Sequence, residues 1–207
     1  MIRARLWALA CGAGLAMVGC ASTPLHYYTL VAPADGAATP MAVAASAPYT
    51  FELLPVGIPA QVDQPQLVVR QGGQGVALLD GQRWIAPLGD EIRNALSANL
   101  SRQLQTQDVS ELPGNGKPVL RIKLDVRRFE SQPGSFALID AAWSLRLVNA
   151  PAAVPAVACT VRISETVGAG YDALVQGHQR AIAELAAQLA TAARTYEAGQ
   201  TPACPAN

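Results

Sequence analysis

Three consecutive segments in which apolar and polar residues alternate constrain the fold of this chain more than any other feature. They span residues 120–127, 139–147 and 157–164. Because successive side chains of a strand point to opposite faces, each segment predicts a strand with one buried and one polar face. The turn signal Gln132-Pro133-Gly134 and the loop 149–155 separate them. We therefore expect an antiparallel meander whose apolar face is covered by another element.

Two segments with helical periodicity can provide that cover. Between Pro87 and about Leu104, apolar residues recur every four positions, with charged residues, Glu91 among them, on the opposite face. The segment from Tyr171 to Tyr196 carries an apolar stripe and many alanines, which favour a helix and allow close approach to a sheet. Both segments predict long helices.

Four shorter segments before the first helix predict additional strands. They are residues 27–31, residues 50–56, and the pair 67–70 and 76–79, which we interpret as a hairpin ending at Asp80-Gly81. The order is strands, helix, three strands, helix. The sequence thus predicts a single α/β domain, in which a mixed β-sheet containing the antiparallel three-strand meander is packed by two long α-helices.

The first twenty residues have the layout of a secretory signal peptide. Arg3 and Arg5 precede an apolar stretch that is too short for a permanent membrane span. The following Met17-Val18-Gly19-Cys20 is similar to a lipobox, the motif that ends in a lipidated cysteine, with Met in place of the usual Leu. We therefore predict lipidation of Cys20. An ordinary signal peptide with a chance cysteine is the alternative.

Lipidation of Cys20 divides the chain into three parts. Residues 1–19 are the predicted signal peptide, residues 20–26 a lipidated tether, and residues 27–207 the folded domain. Stable anchoring takes about two acyl chains, so the three chains of a bacterial lipoprotein hold the domain on the membrane permanently. Ala21, where an Asp favours inner-membrane retention, favours the outer membrane. We expect a domain that is anchored there and faces the periplasm.

Two cysteines remain once Cys11 has left with the signal peptide and Cys20 is lipidated. In an oxidising periplasm, Cys159 and Cys204 favour a disulfide. The alternative is a buried Cys159 and an unpaired Cys204. Neither cysteine has metal-ligand spacing to a histidine, so we predict no metal site and no cofactor.

The composition and the motifs argue against nucleic-acid binding and against catalysis. Fifteen basic and fifteen acidic residues cancel, and no basic run suggests a nucleic-acid surface. The chain has no strand-to-helix phosphate loop and no G-x-S-x-G elbow. His178 falls in a helical stripe, as core or surface histidines do, and Asp90 and Glu91 start a helix, where they cap or solvate it. We predict a protein that is not an enzyme.

The segment between residues 56 and 88 is less easily explained as core. Prolines hold its first half extended, and Trp84 stands at the entrance of the first helix. The tryptophan either staples the helix start or belongs to a contact surface.

The same segment carries a family resemblance. A Tyr27-Tyr28-Thr29-Leu30 strand follows the predicted lipidated cysteine, residues 56–70 read V-x-I-P-x-x-V-D-x-P-Q-L-V-x-R, and residues 84–88 read W-x-x-P-L. Together they resemble the ABC-type transport auxiliary lipoproteins, the PqiC-like (YmbA-like) subunits of MCE-type lipid transport systems. Ile85 stands where Ala is more usual. The similarity covers most of the predicted domain.

The resemblance implies a non-catalytic accessory subunit of a trans-envelope phospholipid transport system. The implied partner is an MCE-domain protein whose tube docks on the lipoprotein at the outer membrane, and a homo-oligomeric ring is compatible with that role. We expect the contact surface to include Pro59, Gln61, Asp63, Arg70 and Trp84. Two other classes stay open: an assembly or pilotin-type lipoprotein that stabilises an unrelated outer-membrane complex, and a lipid carrier with its own pocket.

Overall fold

The structure, a computed structural model, describes residues 24–33, 48–110, 112–113, 116–150 and 155–204. Cys20 and the predicted signal peptide lie outside these residues. The described part forms seven strands and two helices: β1 (His26–Tyr28), β2 (Thr50–Leu53), β3 (Gln66–Arg70), β4 (Val76–Trp84), α1 (Leu88–Leu104), β5 (Val119–Gln132), β6 (Phe136–Val148), β7 (Val157–Thr166) and α2 (Tyr171–Glu197).

The predicted three-strand meander forms most of a four-stranded sheet with the order β2-β5-β6-β7. Antiparallel ladders join β5 to β6 and β6 to β7, as predicted. The edge strand β2 is parallel to β5, with Phe51 opposite Leu120. One face of the sheet is buried, as at Ile122 of β5 and Leu145 of β6, which lie opposite each other. The other face carries the more exposed, largely polar residues, as the alternation of the sequence requires.

The first strands form a second, three-stranded sheet with the order β1-β4-β3. The predicted hairpin of β3 and β4 is present, and β1 is parallel to β4. The prediction that β4 ends at Asp80-Gly81 was wrong. The strand continues to Trp84 because β1 gives its second half a partner, with Tyr27 opposite Arg83 and Tyr28 opposite Trp84. The expected mixed α/β class is therefore confirmed, with the strands divided between two sheets.

The first strand is shorter than predicted because Thr29 and Leu30 turn towards α1. The carboxylate of Glu91 accepts hydrogen bonds from the Leu30 amide at 2.7 Å and from the Thr29 hydroxyl at 2.8 Å. Glu91 is buried, so the prediction that it lies on the solvent face of its helix was wrong. A buried carboxylate needs such donors, and these two fix the chain after β1 to the helix.

The two helices pack against each other, and α2 also packs against β6 and β7. Gly177 of α2 lies close to the end of the sheet. A Cβ atom at this position would lie 2.2 Å from Val167 Cγ1 and 3.1 Å from Ala137 Cβ, so the contact requires a glycine. Of the helices in the described ranges, none has the length and apolarity needed to cross a membrane.

Candidate partner-binding groove

A surface groove of about 370 Å³ lies between the three-stranded sheet and β5. Its walls come from the extended segment before β3, from β3 and β4, and from the second half of β5. The residues that line it are Pro59, Gln61, Val62, Val68, Val69, Arg70, Val76, Leu78, Arg127, Arg128, Phe129, Glu130 and Ser131. We call this feature the β4 groove.

One wall of the β4 groove is an exposed apolar surface. Val76 and Leu78 are large apolar residues of β4 that stand open to solvent. In the β3–β4 ladder, Val68 lies opposite Leu78 and Arg70 lies opposite Val76. Paired residues of a ladder share a face, so the four side chains form one continuous patch. Exposed apolar clusters of this kind mark interaction sites more often than isolated apolar residues do.

A charged cluster joins β3 to β5 in the β4 groove. Glu130 accepts a hydrogen bond from Arg70 Nε at 2.8 Å and one from Arg128 Nη2 at 2.6 Å. The hydrogen bond from Arg70 holds the pKa of Glu130 well below its usual range, at about 2, and Arg128 adds to the effect. Arg127 also lines the groove, so three arginines and one glutamate line it. The groove therefore has a positive rim that suits a partner with carboxylate groups.

The floor of the β4 groove is connected to the buried core through Ser131. Its Oγ lies 2.8 Å from Nε2 of His178, which is fully buried on α2. Phe129 stacks on the imidazole with ring centroids 4.0 Å apart. Burial lowers the pKa of His178 to about 3, so the ring is neutral at physiological pH. This packing holds the floor in place on the helix.

The Ser131–His178 pair differs from a catalytic dyad in its surroundings. In the part of the chain that the structure describes, Nδ1 of His178 has no hydrogen-bond partner. A catalytic histidine is oriented by an acceptor at that nitrogen. The same described residues contain no group of three His, Cys, Asp or Glu side chains that could hold a metal ion.

The structure brings three of the five residues predicted for the contact surface into the β4 groove. Pro59, Gln61 and Arg70 line it. Asp63 is exposed but lines a neighbouring depression of about 320 Å³. Trp84 lines that depression too, yet only 5% of its surface is accessible, and it makes an edge-to-face contact with Phe129. The indole of Trp84 thus packs in the core, and a role of this residue in partner contact stays a prediction.

Neither the apolar wall nor the charged cluster was predicted from the sequence. Val76 and Leu78 were assigned to a hairpin strand without a role, and Glu130 lies beyond the alternating part of β5. One signal was available for the wall. Residues 76–79 are apolar without interruption, so a two-stranded hairpin built from them must expose apolar side chains on one face.

In the structure, Cys159 of β7 and Cys204 of the tail after α2 form a disulfide, with Cα atoms 5.4 Å apart. The bond holds the tail against β7, where Cys204 also lies near the Ala158 carbonyl. Lipidation of Cys20 stays a prediction, since this residue lies outside the described ranges.

Comparison with solved structures shows the fold. One, described as an uncharacterized protein, matches with a TM-score of 0.63 at 19% sequence identity over 81% of this chain and 97% of its own. A protein of Xanthomonas campestris matches with a TM-score of 0.47 at 16% identity over 68% of this chain and 81% of its own. No curated protein matches the chain. A family model described as "ABC-type transport auxiliary lipoprotein component" matches residues 28–190.

Proposed function

The chain belongs to the family of ABC-type transport auxiliary lipoprotein components, and from this premise we propose that it docks the tube of an MCE-type phospholipid transport system at the outer membrane. In this proposal the domain is a non-catalytic accessory subunit, anchored through Cys20 and facing the periplasm. Its partner is an MCE-domain protein. The β4 groove is the surface that this partner binds.

The observation that carries the proposal is the combination of an apolar wall and a positive rim in one groove. Val76 and Leu78 offer apolar area that the isolated domain leaves in water. Burying a Val or Leu side chain completely stabilises by about 1.5–3 kcal/mol, so covering these partly exposed residues contributes roughly 1 kcal/mol each. Arg127 and Arg128 select partners with acidic groups beside an apolar segment.

A modest interface of this kind is sufficient for a tethered protein. The acyl chains confine the domain to the membrane surface, which raises its effective concentration near any partner that reaches the same membrane. Affinity that would be weak between two freely diffusing proteins then keeps the partner bound. An auxiliary role therefore requires neither a deep pocket nor a reaction.

The test is affinity purification of the full-length lipoprotein from detergent-solubilised envelopes, with partners identified by mass spectrometry. We expect the wild type to retain an MCE-domain protein and the double variant Val76→Ser/Leu78→Ser to lose it. Leu112→Ser is the matched control, because Leu112 is equally exposed and lies outside the groove. Retention by both variants would remove the β4 groove from the proposal. Capture of a secretin or barrel protein instead would support the pilotin-type alternative.

A further inference from the structure

A second exposed apolar surface lies at the point where the tether enters the domain. Leu25, Tyr27 and Ile85 are 48%, 54% and 62% exposed. Tyr27 lies opposite Arg83 in the β1–β4 ladder, and the Ile85 amide donates to the Tyr28 carbonyl, which brings Ile85 beside β1. We call Leu25, Tyr27, Arg83 and Ile85 the tether patch.

The tether patch has the composition of a membrane-interface contact. Tyrosine is enriched at the boundary between headgroups and acyl chains because its ring is apolar and its hydroxyl polar. Leucine and isoleucine side chains reach below that boundary, and arginine keeps its guanidinium at the headgroups while its stem covers apolar surface. The patch is also separate from the β4 groove, which uses the opposite end of β4.

The length of the tether identifies the lipid surface as the occupant. Leu25 follows Cys20 by five positions. At roughly 3.5 Å per residue, even a fully extended tether keeps Leu25 within about 18 Å of the anchored cysteine. When the acyl chains on Cys20 lie in the bilayer, the patch is therefore the part of the described domain that the tether holds within reach of the headgroups.

We infer that the tether patch rests on the bilayer and gives the anchored domain a fixed orientation. The inference depends on the lipid anchor of the proposed function and adds a second membrane contact to it. β4 runs from the patch to the β4 groove, and the steps from Arg83 to Val76 span roughly 23 Å. The contact therefore holds the groove end of the sheet away from the lipid, where a partner can reach it.

The bilayer contact depends on apolar insertion more than on lipid charge. Asp63 and Ile85 line the same depression, so this end of the domain carries a carboxylate as well as the guanidinium of Arg83. The two opposite charges give the region little preference for anionic lipids. Vesicles of zwitterionic phosphatidylcholine are therefore a suitable probe.

The test uses the full-length lipidated protein in phosphatidylcholine vesicles with and without brominated acyl chains, which quench nearby tryptophans. Tyr27→Trp introduces the probe into the patch, and the wild type gives the background from Trp84 and Trp143. Gln74→Trp is the matched control, since Gln74 is exposed in the β3–β4 turn at the other end of the same sheet. After the wild-type background is subtracted, brominated lipid should reduce the tryptophan fluorescence of Tyr27→Trp. The fluorescence of Gln74→Trp should stay unchanged.

A second measurement separates the patch from the anchor. In the Tyr27→Trp background, Leu25→Ser/Ile85→Ser should still float with the vesicles but lose most of the quenching. Equal quenching of the probes at positions 27 and 74, or no quenching at position 27 in floating protein, would overturn the contact while leaving the anchor and the groove in place. Failure to float would overturn the anchor and the contact together. If the wild-type protein captured no MCE-domain protein while the quenching at position 27 stayed intact, only the proposed function would be contradicted.

Discussion

The close approach of α2 to the four-stranded sheet allows a quantitative test of the packing. Gly177→Ala adds a Cβ atom 2.2 Å from Val167 Cγ1, where carbon atoms normally lie about 3.5–4.0 Å apart. Overpacking of a core costs about 1–3 kcal/mol, and this overlap belongs near the upper end. The gain from replacing glycine in a helix is about 0.5–1 kcal/mol. We therefore expect a net destabilisation of about 2 kcal/mol.

Shortening the side chain that the new methyl group meets should relieve part of this cost. Val167→Ala removes Cγ1 and by itself destabilises through lost burial and an added cavity. In the double variant the methyl group added at position 177 occupies part of that space. The two substitutions should consequently be less destabilising together than the sum of the single effects, by about 1–2 kcal/mol.

Urea unfolding of the four proteins, followed by circular dichroism, measures this double-mutant cycle. A destabilisation of about 2 kcal/mol lowers the melting temperature by roughly 4–8 °C in a domain of this size, so thermal unfolding gives a second readout. A Gly177→Ala protein as stable as the wild type would refute the reasoning. Additive effects of the two substitutions would refute it as well, because they would show that the two sites do not meet.

Three more predictions concern a disulfide, an ion pair and a buried hydrogen bond. Cys204→Ser removes the bond to Cys159, 45 positions earlier, which should lower stability to urea by about 4 kcal/mol in the chain-entropy model, and a reducing agent should affect only the wild type. Glu130 has a pKa of about 2 in the fold against its ordinary 4.5, so its contribution to stability is complete above pH 4.5 and is lost as the pH falls towards 2. Because the partner Arg70 is partly exposed, the loss in the free energy of unfolding between pH 4.5 and pH 2 should be at most about 1 kcal/mol. Urea unfolding at several pH values measures this loss, which the Glu130→Gln variant should not show. Glu91→Ala leaves the buried Leu30 amide without an acceptor and should destabilise by about 1–3 kcal/mol, with faster amide hydrogen exchange at residue 30 and unchanged exchange in β6.

Local patterns predicted the elements of the fold well, because each pattern reports the burial of its own segment. The alternation in 120–127 and the four-residue spacing after Pro87 indicated a strand and a helix where the structure has them. The sequence pattern of a segment does not show which distant segment it will contact. The pairing of β1 with β4 and the burial of Glu91 under Leu30 both depend on chain segments roughly 60 residues apart, and both were missed.

The candidate site was predicted only in part, because contacts between distant segments leave no local pattern in the sequence. The family pattern pointed to Pro59, Gln61 and Arg70, which line the β4 groove. It also pointed to Trp84, whose exposure depends on how the small sheet packs on Phe129. Glu130 could not be linked to Arg70 from the sequence, since only the tertiary fold brings β3 beside β5.

Both parallel pairings of the fold join an early strand to a much later one. β1 pairs with residues 82–84 and β2 with residues 119–122. A chain that is made from its N-terminus cannot complete either ladder until those later residues have followed. Both early strands therefore wait without their partners throughout that interval, and their docking is a late step in the folding of the domain.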